Sequence, residues 1–136
     1  MSPSVIDKYD VVRLCREFPE VESGWGRYEV DADTDPPQLY DFSAQLLFPN
    51  LLGPLLDGPE PDVDHLKALF SLVERFVRDG EEDVKVWVRI EFCETLLTGG
   101  NRLERALPYL GPATIDLCRS VYASFGGDDH DWPPVS

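Results

Sequence analysis

Apolar residues return along most of the chain at intervals of three and four, and that spacing predicts helices. Val5, Tyr9, Val12 and Cys15, with Ile6 and Leu14 beside them, set an apolar face on a helix from about Val5 to Phe18, with Ser4 as N-cap and Pro19 as stop. From Glu20 to Asp35 the pattern lapses into a polar, acidic connection in which Ser23-Gly24-Trp25-Gly26 is turn material. A second helix opens at Pro36-Pro37 and carries Leu39, Phe42, Leu46 and Leu47 as far as Pro49. The breakers between Pro49 and Pro61 predict a loop, packed on the core by Leu51, Leu52, Leu55 and Leu56.

The third helix has the strongest pattern: Asp62 caps it, Leu66, Leu69, Phe70, Val73 and Val77 recur at helical spacing, and Gly80 stands where a left-handed C-terminal residue belongs. The next segment carries two signals at once. Residues 84, 86, 88 and 90 alternate as in a strand, yet Glu81 to Thr98 contains no glycine, proline or asparagine, a length typical of a buried helix closed by Gly99-Gly100. Helix is the reading taken, forming a hairpin with the third helix. Asn101 and Glu104 match a capping box for a short helix ending at Pro108, and Gly111-Pro112 opens a last helix striped by Ile115, Cys118, Val121, Tyr122 and Phe125 and ended by Gly126. The pattern therefore predicts one all-α domain, residues 1–126, of about five main helices arranged as an irregular bundle or as small stacked hairpins, followed by an acidic, free tail over 127–136.

Composition changes this picture chiefly through charge. Twelve Lys and Arg stand against 26 Asp and Glu, a net charge of −14 on 136 residues. Such a field repels nucleic acid and anionic membrane and favours a basic protein partner. No apolar run reaches the ~20 residues of a membrane span, and Met1-Ser2-Pro3-Ser4 lacks the basic and apolar regions of a signal peptide. Cys15, Cys93 and Cys118 are odd in number, widely spaced and set among apolar residues, so they read as small buried hydrophobes in a reducing cytoplasm.

Candidate chemistry is sparse. Asp31-Ala-Asp33-Thr-Asp35 opens like a calcium loop, but Pro36 stands where the loop needs glycine and Phe42 where it needs a bidentate glutamate. The tail's Asp128-Asp129-His130-Asp131 lacks an anchored geometry for a metal, and no phosphate-binding glycine motif occurs, so no cofactor or metal is expected. His65 falls in the first turn of the third helix, where a cation is disfavoured, and reads as a surface residue. Glu74, Glu91 and Glu94 lie inside the two most hydrophobic helices and are the candidates for an acid/base pair, whereas the Glu74 to Arg78 spacing favours structural ion pairing. Trp25, Tyr28 and Tyr40, with Asp31, Asp33 and Asp35 among them, form an aromatic and acidic set suited to an arginine- or lysine-bearing surface.

The runs Leu69-Phe70-Ser71-Leu72-Val73-Glu74, Glu91-Phe92-Cys93-Glu94-Thr95-Leu96 and Leu110-Gly111-Pro112-Ala113-Thr114, in that order, resemble small acidic bacterial proteins, some of them similar to immunity proteins of toxin systems. The resemblance carries no catalytic residues. It implies a non-enzymatic helical binder, an immunity or antitoxin-like protein that occludes a basic toxin or nuclease. A helical scaffold or adaptor that takes a peptide is the alternative, and a small carboxylate-based hydrolase ranks last.

Overall fold

A computed structural model describes residues 5–26 and 38–134. Asp7, not Ser4, caps the first helix: its carboxylate accepts the Asp10 N–H while Asp10 accepts the Asp7 N–H, and α1 covers Lys8–Cys15. Ser4 lies outside the described residues. Ile6, which the periodicity assigned to this helix, is extended; its N–H donates to the Asp79 carbonyl at 2.8 Å and its carbonyl accepts the Glu81 N–H at 2.9 Å. A tertiary contact thus holds the residues before α1 out of the helix. Val5 and Tyr9 are exposed, and the buried face is formed by Val11, Val12, Leu14 and Cys15.

Helix α1 stops at Cys15, short of the end expected at Phe18 and Pro19, and Pro19 begins a helix instead. It takes the first position of α2, Pro19–Trp25, where a missing N–H costs nothing, so part of the expected polar connection is helical. After the undescribed residues, α3 runs continuously through Leu39–Phe42, a wide-turned π stretch Ser43–Leu52, and Gly53–Asp57. Pro49 does not stop it. In a regular α-helix the proline ring would crowd the carbonyl four residues back; the wider π turn makes room, and the Gly53 N–H reaches back five residues to the Phe48 carbonyl. The loop expected over Pro49 to Pro61 is therefore mostly helix, with Leu51, Leu52, Leu55 and Leu56 buried as expected. Its C-terminal carbonyls find partners on another helix: Arg105 donates to the carbonyls of Leu55 and Gly58 at 3.1 and 2.7 Å, and Arg102 pairs with Asp57 through two bonds at 2.8 and 2.7 Å.

Helix α4, Val63–Asp79, matches the sequence reading, with Asp62 accepting the His65 N–H. Gly80 differs. Its φ of −74° is open to any residue, and glycine is needed instead for close approach, because a Cβ there would lie 2.3 Å from the Phe76 carbonyl oxygen and 2.8 Å from Val84. Helix α5 follows as Glu82–Val88, a π stretch Arg89–Glu94, and Thr95–Thr98. The alternation of 84 to 90 does not make a strand: Val84, Trp87 and Val88 are buried and Val86 and Ile90 exposed, which is helical sidedness. Gly100, with φ of 49°, turns the chain into α6, Arg102–Ala106, which continues as the 3₁₀ turn Leu107–Tyr109. The capping box expected here is not formed, since Asn101 makes no side-chain cap. Helix α7, Pro112–Ser124, ends at Gly126 with φ of 89°.

Seven helices and no sheet among the described residues make this a single all-α domain, two helices more than the five main ones the periodicity gives. Helix α4 packs on both α5 and α7, α7 lies along the π stretch of α5, α2 along that of α3, and α6 rests on the C-terminal end of α3. An aromatic chain holds the centre: Phe76 against Trp87 at 6.1 Å, Trp87 edge-on to Phe92 at 5.4 Å, and Phe92 edge-on to Phe70 at 6.4 Å. Trp87 is fully buried and donates its indole N–H to the buried Ser43 hydroxyl at 2.8 Å. Near the C-terminus Trp132 packs on Tyr122 at 5.7 Å, and Asp129 pairs with Arg119 at 2.9 Å.

Candidate functional site

The start of α1, the start of α3 and the first two turns of α5 converge on a groove of about 460 Å³, lined by Lys8, Gln38, Leu39, Tyr40, Glu82, Asp83, Val86 and Trp87. Buried Leu39 and Trp87 form its floor, and the Trp87 bond to Ser43 fixes the ring. Tyr40 and Val86 remain 47% and 42% exposed on its walls. Lys8 reaches over to Asp83 at 3.2 Å. A smaller depression beside it, lined by Asp7, Lys8, Tyr9, Glu81 and Asp83, shares two of its residues. Exposed Tyr9 thus extends the apolar surface, while among the described residues Asp7, Glu81, Glu82 and Asp83 oppose one lysine around it.

These acids have a local structural reason as well. Asp7 caps α1, and Glu82 and Asp83 stand in the first turn of α5, where the helix dipole favours negative charge. The sequence therefore places carboxylates at two helix starts for helical stability, and the tertiary packing brings those two starts together around one apolar floor. A polar rim about a rigid aromatic and aliphatic centre is the anatomy of a protein-docking surface.

Of the residues that the sequence singled out for a partner, Tyr40 lies in this groove. Trp25 lies elsewhere: half-buried at the end of α2, it stands edge-on to Phe42 at 6.3 Å under the Arg16 guanidinium, whose carbon is 4.1 Å from the ring centre. Tyr28, Asp31, Asp33 and Asp35 lie outside the described residues. The sequence marked none of Lys8, Tyr9, Glu81, Glu82, Asp83, Val86 and Trp87 for a partner. The alternation of residues 84 to 90 carried a usable signal, because reading it as helix leaves Val86 and Ile90 apolar on the wrong side.

The three glutamates weighed for acid/base work do not line the groove. Glu74 is committed to structure, accepting the backbone N–H of Ala113 at 3.0 Å, the N–H and hydroxyl of Thr114 at 2.9 and 2.8 Å, and pairing with Arg78 at 3.0 Å. Burial alone would raise its pKa; those bonds prevail and hold it below the ordinary glutamate value. Glu91 shifts the other way, raised by burial and by the like charge of Glu94. His65 is more than a surface residue: its Nδ1 meets Asp62 at 2.9 Å and its Nε2 meets Glu20 at 3.0 Å, tying α2 to α4. Burial opposes its protonation, but the two carboxylates outweigh it, and its pKa is raised.

Among the described residues no group of three or more His, Cys, Asp or Glu side chains is placed to hold a metal ion, and no helix is long and apolar enough to cross a membrane. The chain matches no protein-family model, no curated protein and no solved structure.

Proposed function

We propose that this protein is a non-enzymatic binding module whose groove between α1, α3 and α5 receives an apolar side chain of a basic protein, in the manner of an immunity or antitoxin-like protein that covers a cationic toxin or nuclease surface. The observation that carries the reading is the pairing of Tyr40, Val86 and the Trp87 floor with, among the described residues, four carboxylates against one lysine. Cationic grooves that hold phosphate backbones are complementary to such a rim. The net charge of −14 would steer the encounter and the desolvated apolar centre would slow dissociation. The same reading puts the protein in the cytoplasm, where its three free cysteines stay reduced.

The test compares the native chain with a Tyr40→Ala, Val86→Ser double variant in affinity capture from the native host, with Phe125→Ser as a control exposed on another face. The reading requires a stoichiometric basic partner, retained by the native chain and the control, weakened at least tenfold by the double variant and progressively released by salt. A neutral or acidic partner, or one indifferent to the groove substitutions, defeats it. A partner that binds in the groove without salt dependence supports the adaptor reading instead.

A further inference from the structure

We propose that Cys93 and Cys118 form a redox pair that a hydroperoxide converts to a disulfide, covalently joining α5 to α7. Neither cysteine lines the groove. Both residues are free cysteines and fully buried, and they come from different helices packed on each other along the π stretch of α5. The Cys118 and Cys93 sulfurs share a hydrogen bond at 3.1 Å. A disulfide holds its sulfurs at about 2.05 Å, so closure asks for roughly 1 Å of approach between side chains already aimed at each other. Cys15 is the internal contrast, equally buried but with no sulfur partner among the described residues, its thiol pushed up to about 12 by burial.

The chemistry balances with one equivalent of hydroperoxide. One thiolate sulfur attacks the peroxide, the O–O bond breaks, and a sulfenic acid forms as the departing oxygen takes a proton and leaves as water or alcohol. The second sulfur then attacks the sulfenic sulfur, the S–O bond breaks, and hydroxide leaves with the second thiol's proton as water. Two electrons pass from the sulfur pair to the peroxide. The Cys118 contact and burial both hold the Cys93 thiol protonated, so the first step waits on local opening and the pair stays reduced until oxidant persists.

The native, full chain is exposed to hydrogen peroxide at a dose that fully oxidises the thiols of the unfolded chain, then acid-quenched, unfolded, alkylated and mapped by mass. The expected product is two hydrogen atoms lighter, has lost two of its three alkylatable thiols, retains the one on Cys15, yields a linked Cys93–Cys118 peptide, and returns to three thiols with dithiothreitol. Three thiols remaining, a bridge that includes Cys15, or oxygen adducts at Cys93 or Cys118 in place of a bridge would each overturn the proposal. A Cys15→Ala variant should form the bridge within twofold of the native rate; if that variant does not fold, the map of the native chain decides alone.

Discussion

Replacing Glu74 by alanine separates a structural carboxylate from a catalytic one. Helix α7 opens at Gly111, which has no side chain with which to cap it, so the orphan N–H groups of Ala113 and Thr114 turn to the Glu74 carboxylate on α4. Thr114 is fully buried, and the substitution strands both its N–H and its hydroxyl. Each stranded buried donor costs about 1–3 kcal/mol. Ala113 is half-buried and can recover water, and Arg78, 61% exposed, adds little by its ion pair. The loss is then about 3 kcal/mol, a large share of the 5–15 kcal/mol typical of a domain. Glu74→Gln keeps an acceptor oxygen but gives up the charge, and should lose about half as much. Urea unfolding of the three proteins gives the comparison through the midpoint at constant m value. The pH dependence has a definite sign. The folded pKa of Glu74 is depressed, so its contribution is present above the ordinary value of 4.5 and fades as pH falls through the folded one; the gap between native and Glu74→Gln should narrow in acid. Losses below about 0.5 kcal/mol for both variants, at neutral pH, would refute the capping argument and return Glu74 to the candidates for chemistry.

Ser43→Ala strands the Trp87 indole N–H in a dry site and should cost about 1–3 kcal/mol by urea unfolding, while the matched Ser43→Ala, Trp87→Phe pair should cost less than the sum of its members. Gly80→Ala introduces a Cβ against the Phe76 carbonyl and Val84, and a loss of about 1–3 kcal/mol is expected from the same measurement; a neutral result would mean that the approach of Gly80 to Phe76 and Val84 is not tight in solution. His65 has a raised folded pKa, so its ties to Glu20 and Asp62 stabilise below the unfolded value of 6.5 and are lost as pH rises through the folded one. Because all three side chains are partly exposed, His65→Gln should remove less than about 1 kcal/mol at pH 5.5 and nothing measurable at pH 9, read as the difference in unfolding midpoints.

The helical class, the position of α4 and most of the buried leucines are legible in the apolar periodicity, because a 3.6-residue period is a local property that no neighbour has to supply. The sequence also determined the net charge of −14. Tertiary structure decided where helices begin and stop. Ile6 is drawn out of α1 by the Asp79–Gly80–Glu81 corner, Pro49 is carried inside a π stretch buried against α2, and α3 extends to Asp57 because Arg102 and Arg105 satisfy its end from another helix. The groove belongs to the same category. Its acids are ordinary helix-start residues and its aromatics lie far apart in the chain, so only the packing of α1, α3 and α5 brings them together into one surface.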